Sequence, residues 1–185
     1  MASDGVCGPG DLSVLVSEDE IHRHVHRLAR SIEQDHGHER PLLVIAVMKG
    51  AIVLLADLIR HLPMPLRIEL VRARSYEGTN RSGPVEILDD LGALGIDGAD
   101  VLVVDCVLDS GHTLGVLIEA VAAHNPGSLK CCVLLSKDRQ RETSVTPDYV
   151  GCSIPDVFVV GYGLDCDNMW RHLPYVAVVP TESSG

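Results

Sequence analysis

VLVVDCVLDSGHTL, residues 101–114, is the stretch that decides how the rest of the chain is read. Its Val and Leu residues run into Asp105, Cys106, Val107 and Leu108, then into Asp109, Ser110, Gly111, His112 and Thr113. A run that is apolar on both faces is the mark of a strand buried in a parallel sheet. The residues that follow, TLGVLIEAVAAH (113–124), carry helical spacing. Small residues and hydroxyls between a strand and a helix leave N–H groups at the helix N-terminus turned toward any anion, so this turn is a candidate phosphate loop. Locally, Asp109 has two readings. It is either an N-cap with nothing bound, or a carboxylate kept there to meet sugar hydroxyls, a cation or a moving proton. Cys106, a thiol between two acids, is the anomaly of the stretch.

The same alternation extends outward on both sides. SEDE (17–20) has the form of a capping box, and Ile21, Val25, Leu28 and Ile32 follow at helical spacing up to the HGH at 36–38. PLLVIAV (41–47) reads as a strand, MKG as a turn and AIVLLADLIRHL (51–62) as a helix ending at Pro63. LRIELVRARSY (66–76) and VEIL (85–88) read as strands flanking a polar loop, EGTNRSGP. LKCCVLLS (129–136), VFVVGYG (157–163) and YVAVV (175–179) are further strands. Strands alternating with helices predict an α/β domain with a mostly parallel sheet covered on both faces, and ligands bind such sheets at the carboxyl ends of the strands. The chain of 185 residues is sized for one domain spanning 1–185, with a loose N-terminal segment over 1–16.

Composition narrows the function classes. Lys and Arg number 15 against 26 Asp and Glu, a net charge of −11, which speaks against a nucleic-acid partner while leaving room for a small phosphorylated ligand held by backbone amides. No apolar run is long enough for a membrane span, and MASDGVCGPGDLS lacks the basic start and apolar core of a signal peptide, so a cytoplasmic protein without a membrane partner is expected. The six cysteines have no CxxC spacing and mostly sit in apolar runs, as reduced buried thiols do.

With these residues in place, VLVVDCVLDSGHTL resembles the phosphoribosyl pyrophosphate motif of the purine phosphoribosyltransferases: an apolar strand, an adjacent pair, two apolar residues, then Asp-Ser/Thr-Gly-x-Thr. VMKGAIVLLADLIRHL is similar to that family's pyrophosphate-binding turn and helix, RSYEGTNRSGPVEIL to its mobile loop, and PDYVGCSIPDVFVVGYGLDCDNMWRHLPY to its purine-binding segment. The likeness is greatest to the members that act on hypoxanthine and guanine. It implies a small hood formed by the chain termini, Mg2+ as cofactor, a purine base and phosphoribosyl pyrophosphate as substrates, and a homodimer or homotetramer. It also implies roles. Ser110, Gly111, His112 and Thr113 would hold the 5′-phosphate, with Asp105 and Cys106 at the ribose and Asp109 as general acid/base at N7. Lys49 and Gly50 would bind pyrophosphate across an unusual non-proline peptide after Met48, with Arg171 as a second contact. Ser75 and Tyr76 would belong to the mobile loop. Lys137 would donate to O6 of the base, Phe158 would stack on it, Val159 would meet its edge through the backbone, and Asp165, with Asp105, would hold Mg2+. Without the resemblance, KDRQRE (137–142) would read as a solvated loop and the lone Phe158 as core.

Three positions depart from the pattern of the family. Asp105 stands where a Glu is usual, Cys106 where an Asp is usual, and His112 where a Lys or Arg is usual. Cys106 then has two readings, a missing ribose contact or a packing residue. The first predicts activity with a weakened hold on the phosphoribosyl donor, and it also supports a competing class, a non-catalytic nucleotide-sensing regulator. A third reading, a cysteine nucleophile at Cys106 served by His112, needs both in one hydrogen-bonded site.

Overall fold

A computed structural model describes residues 12–75, 85–139 and 143–180. The elements run in the order β1 (Ser13–Val16), α1 (Glu18–His36), β2 (Leu42–Met48), α2 (Ile52–Leu58), β3 (Leu66–Ser75), β4 (Val85–Ile87), β5 (Asp100–Leu108), α3 (His112–Ala122), β6 (Ser128–Asp138), β7 (Tyr149–Pro155), β8 (Val159–Val160) and β9 (Val176–Val178). Six strands form the main sheet in the order β4-β3-β2-β5-β6-β7. All neighbours in it are parallel except β4, which returns antiparallel on β3. The strand quoted first, β5, therefore lies at the centre of the sheet between β2 and β6, and the loop after it opens at the carboxyl edge.

α1 begins as the capping box requires. Ser17 Oγ accepts from the Glu20 backbone N–H, and Glu20 Oε2 accepts from the Ser17 N–H at 2.9 Å. The helix buries Ile21, Val25, Leu28 and Ile32 at the expected spacing, each contributing about 1.5–3 kcal/mol of burial before its entropy cost. It ends at His36, with Gly37 at φ +76°. α1 and α2 pack together on one face of the sheet, burying Leu54 and Leu58 against Leu102, Val104 and Leu134. The opposite face is closed by α3, through Leu114, Leu117 and Val121 against Val101, Val103 and Val133.

A second, three-stranded antiparallel sheet, β1-β9-β8, brings the two ends of the chain together as the hood. Ser13–Val16, expected to fall in a loose segment, is thus a strand: Ser13 aligns with Val178 and Val16 with Val176, and Val16 is buried. Three other expectations are corrected. β7 was not foreseen, because Pro147, Gly151 and Pro155 break up the apolar pattern of PDYVGCSIP, yet it pairs with β6 along its length. VFVVGYG contributes only Val159–Val160 as strand, since Gly161, Tyr162 and Gly163 all take positive φ and turn the chain. β5 runs on through Asp105 and Cys106 to Leu108 rather than stopping after VLVV. That extension sets the direction of each side chain on it. Among the described residues no helix is long and apolar enough to cross a membrane.

Candidate active site

The loop after β5 tightens at Gly111, whose φ of +88° leads straight into α3. A Cβ at this position would also collide with Oγ1 of Thr143, so conformation and space both call for glycine. The N-terminal N–H groups of α3 lack intrahelical acceptors by construction and point to the loop mouth. The His112 N–H is 3.5 Å from Ser110 Oγ. A cavity of about 300 Å³ opens there, lined by Val47 and Met48 at the end of β2, Ala73 on β3, and Asp105 and the loop residues through Leu114. Ser110, Gly111, His112 and Thr113, expected at one phosphate, do line one cavity.

Asp109 stands at this mouth between two cations. Lys137 Nζ donates to Oδ2 at 2.6 Å, and Arg139 Nη1 donates to Oδ1 at 2.7 Å. Lys137 is only 9% exposed, while the Asp109 side chain is 41% exposed, so the lysine is built in and the carboxylate faces the cleft. Asp156, just past β7, lies 3.8 Å from each cation and completes an alternating box of four charges. Partial burial pushes the Asp109 carboxyl up, but Lys137 and Arg139 together outweigh it and hold it below the ordinary carboxylate range. Lys137 is thus no solvated loop residue. Arg139 and Asp156 are not expected from local sequence: the β5–β6 pairing sets Arg139 beside Asp109, and the β6–β7 pairing sets Asp156 beside Arg139.

Phe158, two residues beyond Asp156, is 47% exposed, an unusual state for the only Phe of the chain, and it leaves a ring face open to stacking. Its carbonyl accepts from the Val179 N–H at 3.0 Å, which ties it to the hood. Val159 pairs with Val178 in the β8–β9 ladder, with its side chain in the core.

The second half of the site is a knot of turns. The Met48–Lys49 peptide is cis, at the place where an unusual peptide was expected. Lys49 is exposed, with Nζ 3.4 Å from Oδ1 of Asn168. The Gly50 carbonyl packs against Gly163, where a φ of +95° and the close approach leave no room for a Cβ. Gly163 O accepts from Arg171 Nη1 at 2.7 Å, and Arg171 Nη2 pairs with Asp165 Oδ1 at 2.6 Å. Oδ2 of Asp165 accepts from the Asn168 N–H at 2.8 Å. Lys49, Gly50 and Arg171 are therefore neighbours, and Asp165 joins them through Arg171 and Asn168.

Asp105 and Asp165 are the carboxylates expected to hold a cation. Burial pushes the Asp105 carboxyl up to about 7, although the Cys106 N–H donates to its Oδ1 at 2.7 Å. A cation would favour its ionised form. Among the described residues, no three His, Cys, Asp or Glu side chains converge as a ready-made metal site. Hard oxygen donors in ones and twos suit Mg2+ that completes its shell with ligand oxygens and water.

Cys106 is where the expectation fails. Side chains alternate along β5, so with Asp105 turned to the cleft the thiol turns to the core. It is fully buried, and its Sγ donates to the Tyr162 carbonyl at 3.4 Å. Burial raises its pKa far above the thiol range, and a thiol held in the core against the Tyr162 carbonyl is no nucleophile. The buried thiol fits the packing reading, and the support that Cys106 lent to a non-catalytic regulator disappears. Tyr76 and the whole of the polar loop EGTNRSGP fall outside the described residues. Ser75 ends β3.

Strand-end carboxylates, an anion-ready helix N-terminus and an inward lysine place the molecule among α/β proteins that take phosphorylated ligands at the carboxyl edge of a parallel sheet. More narrowly, the chain belongs to the phosphoribosyl transferase domain family, which matches residues 17–167. It is 38% identical over 169 residues to a hypoxanthine-guanine phosphoribosyltransferase of Aquifex aeolicus, covering 91% of this chain and 94% of that one. It is 40% identical to the protein of the same name from Mycobacterium avium, over 92% of this chain and 87% of that one. The crystal structure of a hypoxanthine-guanine phosphoribosyltransferase from Bacillus anthracis superimposes with a TM-score of 0.85 at 42% identity, covering 91% of this chain and 98% of that one.

Proposed function

We propose that the protein transfers the 5-phosphoribosyl group from phosphoribosyl pyrophosphate to hypoxanthine or guanine, giving IMP or GMP and pyrophosphate, a purine-salvage reaction. The relatives that carry this activity in their names support it, and the observation that carries it is the contact of Asp109 with the inward Lys137 at the mouth of the α3 loop. Ser110, Gly111, His112 and Thr113 hold the 5′-phosphate through backbone amides and hydroxyls. Asp105 meets the ribose hydroxyls. Lys137 donates to O6 of the base, a partner that suits an oxo group and mismatches an amino group. Phe158 stacks on the ring, the Val159 backbone meets its edge, and Asp109 handles the proton at N7. Lys49, the Gly50 backbone and Arg171 face the pyrophosphate, whose charge grows as the C1–O bond breaks. Mg2+ held by Asp105, Asp165 and substrate oxygens would supply further positive charge against that leaving group.

The reading extends to a homodimer or homotetramer in the cytoplasm. Ile68 and Leu70 stand 41% and 45% exposed on β3, which favours assembly through that face. Pyrophosphate release with each purine, in Mg2+ and phosphoribosyl pyrophosphate, tests the function. Release with hypoxanthine and guanine is expected. Adenine turnover equal to that of hypoxanthine would overturn the role of Lys137, and no release with any purine would overturn the activity.

A further inference from the structure

The charge box around Asp109 contains a cation that the reaction just described does not use. Lys137 and Arg139 each hold a different oxygen of Asp109, at 2.6 and 2.7 Å. They lie two residues apart at the end of β6, and the Arg139 N–H donates back to the Lys137 carbonyl at 3.1 Å, which folds the arginine over the strand end. Behind them Asp156 meets Arg139 Nε and Lys137 Nζ, both at 3.8 Å. When a 6-oxopurine enters, Lys137 divides its donors between Asp109 and O6 or leaves the carboxylate altogether. Either way its hold on Oδ2, the oxygen that then faces N7, weakens. Arg139 has no such second duty.

We propose that Arg139 is a positioning residue: by holding Oδ1 it keeps the Asp109 carboxylate aimed and ionised while Lys137 changes partner from Asp109 to the base. The inference rests on the phosphoribosyl-transfer reading and adds to it a residue outside the phosphate, pyrophosphate and base contacts. Among the described residues, the groups around Asp109 are Lys137 at the end of β6 and Arg139 just past it, Asp156 just past β7 behind them, Ser110 and His112 in its own loop, and Asp105 earlier on β5. Of the two cations paired with Asp109, Arg139 is the one whose charge base binding leaves in place. The pairing is a single N–H to a single oxygen rather than a fork, so a lysine can reproduce it in part.

The test uses R139Q and R139K in the full chain, with kcat against pH for hypoxanthine and, separately, the carboxyl 13C titration of Asp109 in the ligand-free protein, assigned with D109N. Removing the cation raises the proton affinity of Asp109, so in R139Q the acid limb of kcat and the 13C titration both move to higher pH. kcat falls about tenfold, the size of one lost charge-assisted hydrogen bond. KM for phosphoribosyl pyrophosphate stays within about twofold, and R139K recovers most of kcat and the original acid limb. An unmoved acid limb, a kcat that rises, or an R139K as impaired as R139Q would overturn the proposal. A wild-type protein that releases no pyrophosphate would instead defeat the transfer reading. In that case the 13C titration still decides whether Arg139 controls Asp109.

Discussion

The two ends of the central sheet hold cavities of about the same size, roughly 300 Å³ each, and both are ringed with charge. At the amino end of the strands, Lys130 donates to Asp35 at 2.7 Å, Tyr149 donates to the same oxygen at 2.8 Å, and Asp100 pairs with Arg40 and accepts from Ser128. Burial pushes the Tyr149 hydroxyl up to about 12, so it stays a donor. These contacts tie the last turn of α1 to β6 and β7, and their partners are settled. At the carboxyl end the pairs are provisional. In the proposed reaction Lys137 turns to the base carbonyl, and Asp109 is open to the cleft beside the N-terminus of α3. Cavity volume does not separate a binding site from a structural seam. What separates them is whether the charged groups still have something to give to a ligand.

Substitutions can break that contrast, and the largest effect is expected at Asp109. Asp109→Asn lowers kcat by about 10²–10⁴ while binding of the phosphoribosyl donor survives, as single-turnover and equilibrium binding measurements would show. A fall of less than tenfold would reduce Asp109 to a helix cap. The same mutant carries a pH signature. The wild-type carboxyl is held below its ordinary range, so its stabilising contribution is present at neutral pH and is lost only as the pH falls through that lowered value. The gap in Tm between wild type and D109N therefore narrows below about pH 4.

Next in size is Cys106→Asp. The side chain enters the core beside the Tyr162 carbonyl, and an unpaired carboxylate there costs several kcal/mol. Thermal melting should drop by about 10 °C with donor affinity no better than wild type, and tighter donor binding at unchanged Tm would restore the thiol to the ribose site. Lys137→Met should lower kcat/KM for hypoxanthine by about ten- to a hundredfold and erode the preference for oxo over amino purines, with donor binding little changed. The smallest effect belongs to the other end of the sheet. Lys130→Met should leave kcat within about twofold of wild type and lower stability in a salt-dependent way. A large loss of turnover from this change would mean that the amino-end cavity is coupled to the site.

Much of the site was legible because local sequence carries local geometry. The strand-glycine-helix passage at 108–113 and the capping box at Ser17 and Glu20 are each built from neighbouring residues and have the form the sequence implies, whereas the unusual peptide after Met48 was expected only from the family resemblance. The alternation of apolar strands and helices likewise determined the layered sheet, because burial on both faces leaves a strand no other place. What only the tertiary structure decided depends on residues far apart in the chain. Cys106 turns inward because β5 stays in register with β6 past Asp105, a matter of ladder length that its own letters do not contain. Arg139 reaches Asp109, 30 residues earlier, because β6 lies beside β5, so a charged turn becomes part of the site. β1 and β9 form the hood because the two ends of the chain meet, and neither short apolar run holds a strand alone. Side-chain identity and spacing set the parts, while pairing across the sheet set which faces and charges meet.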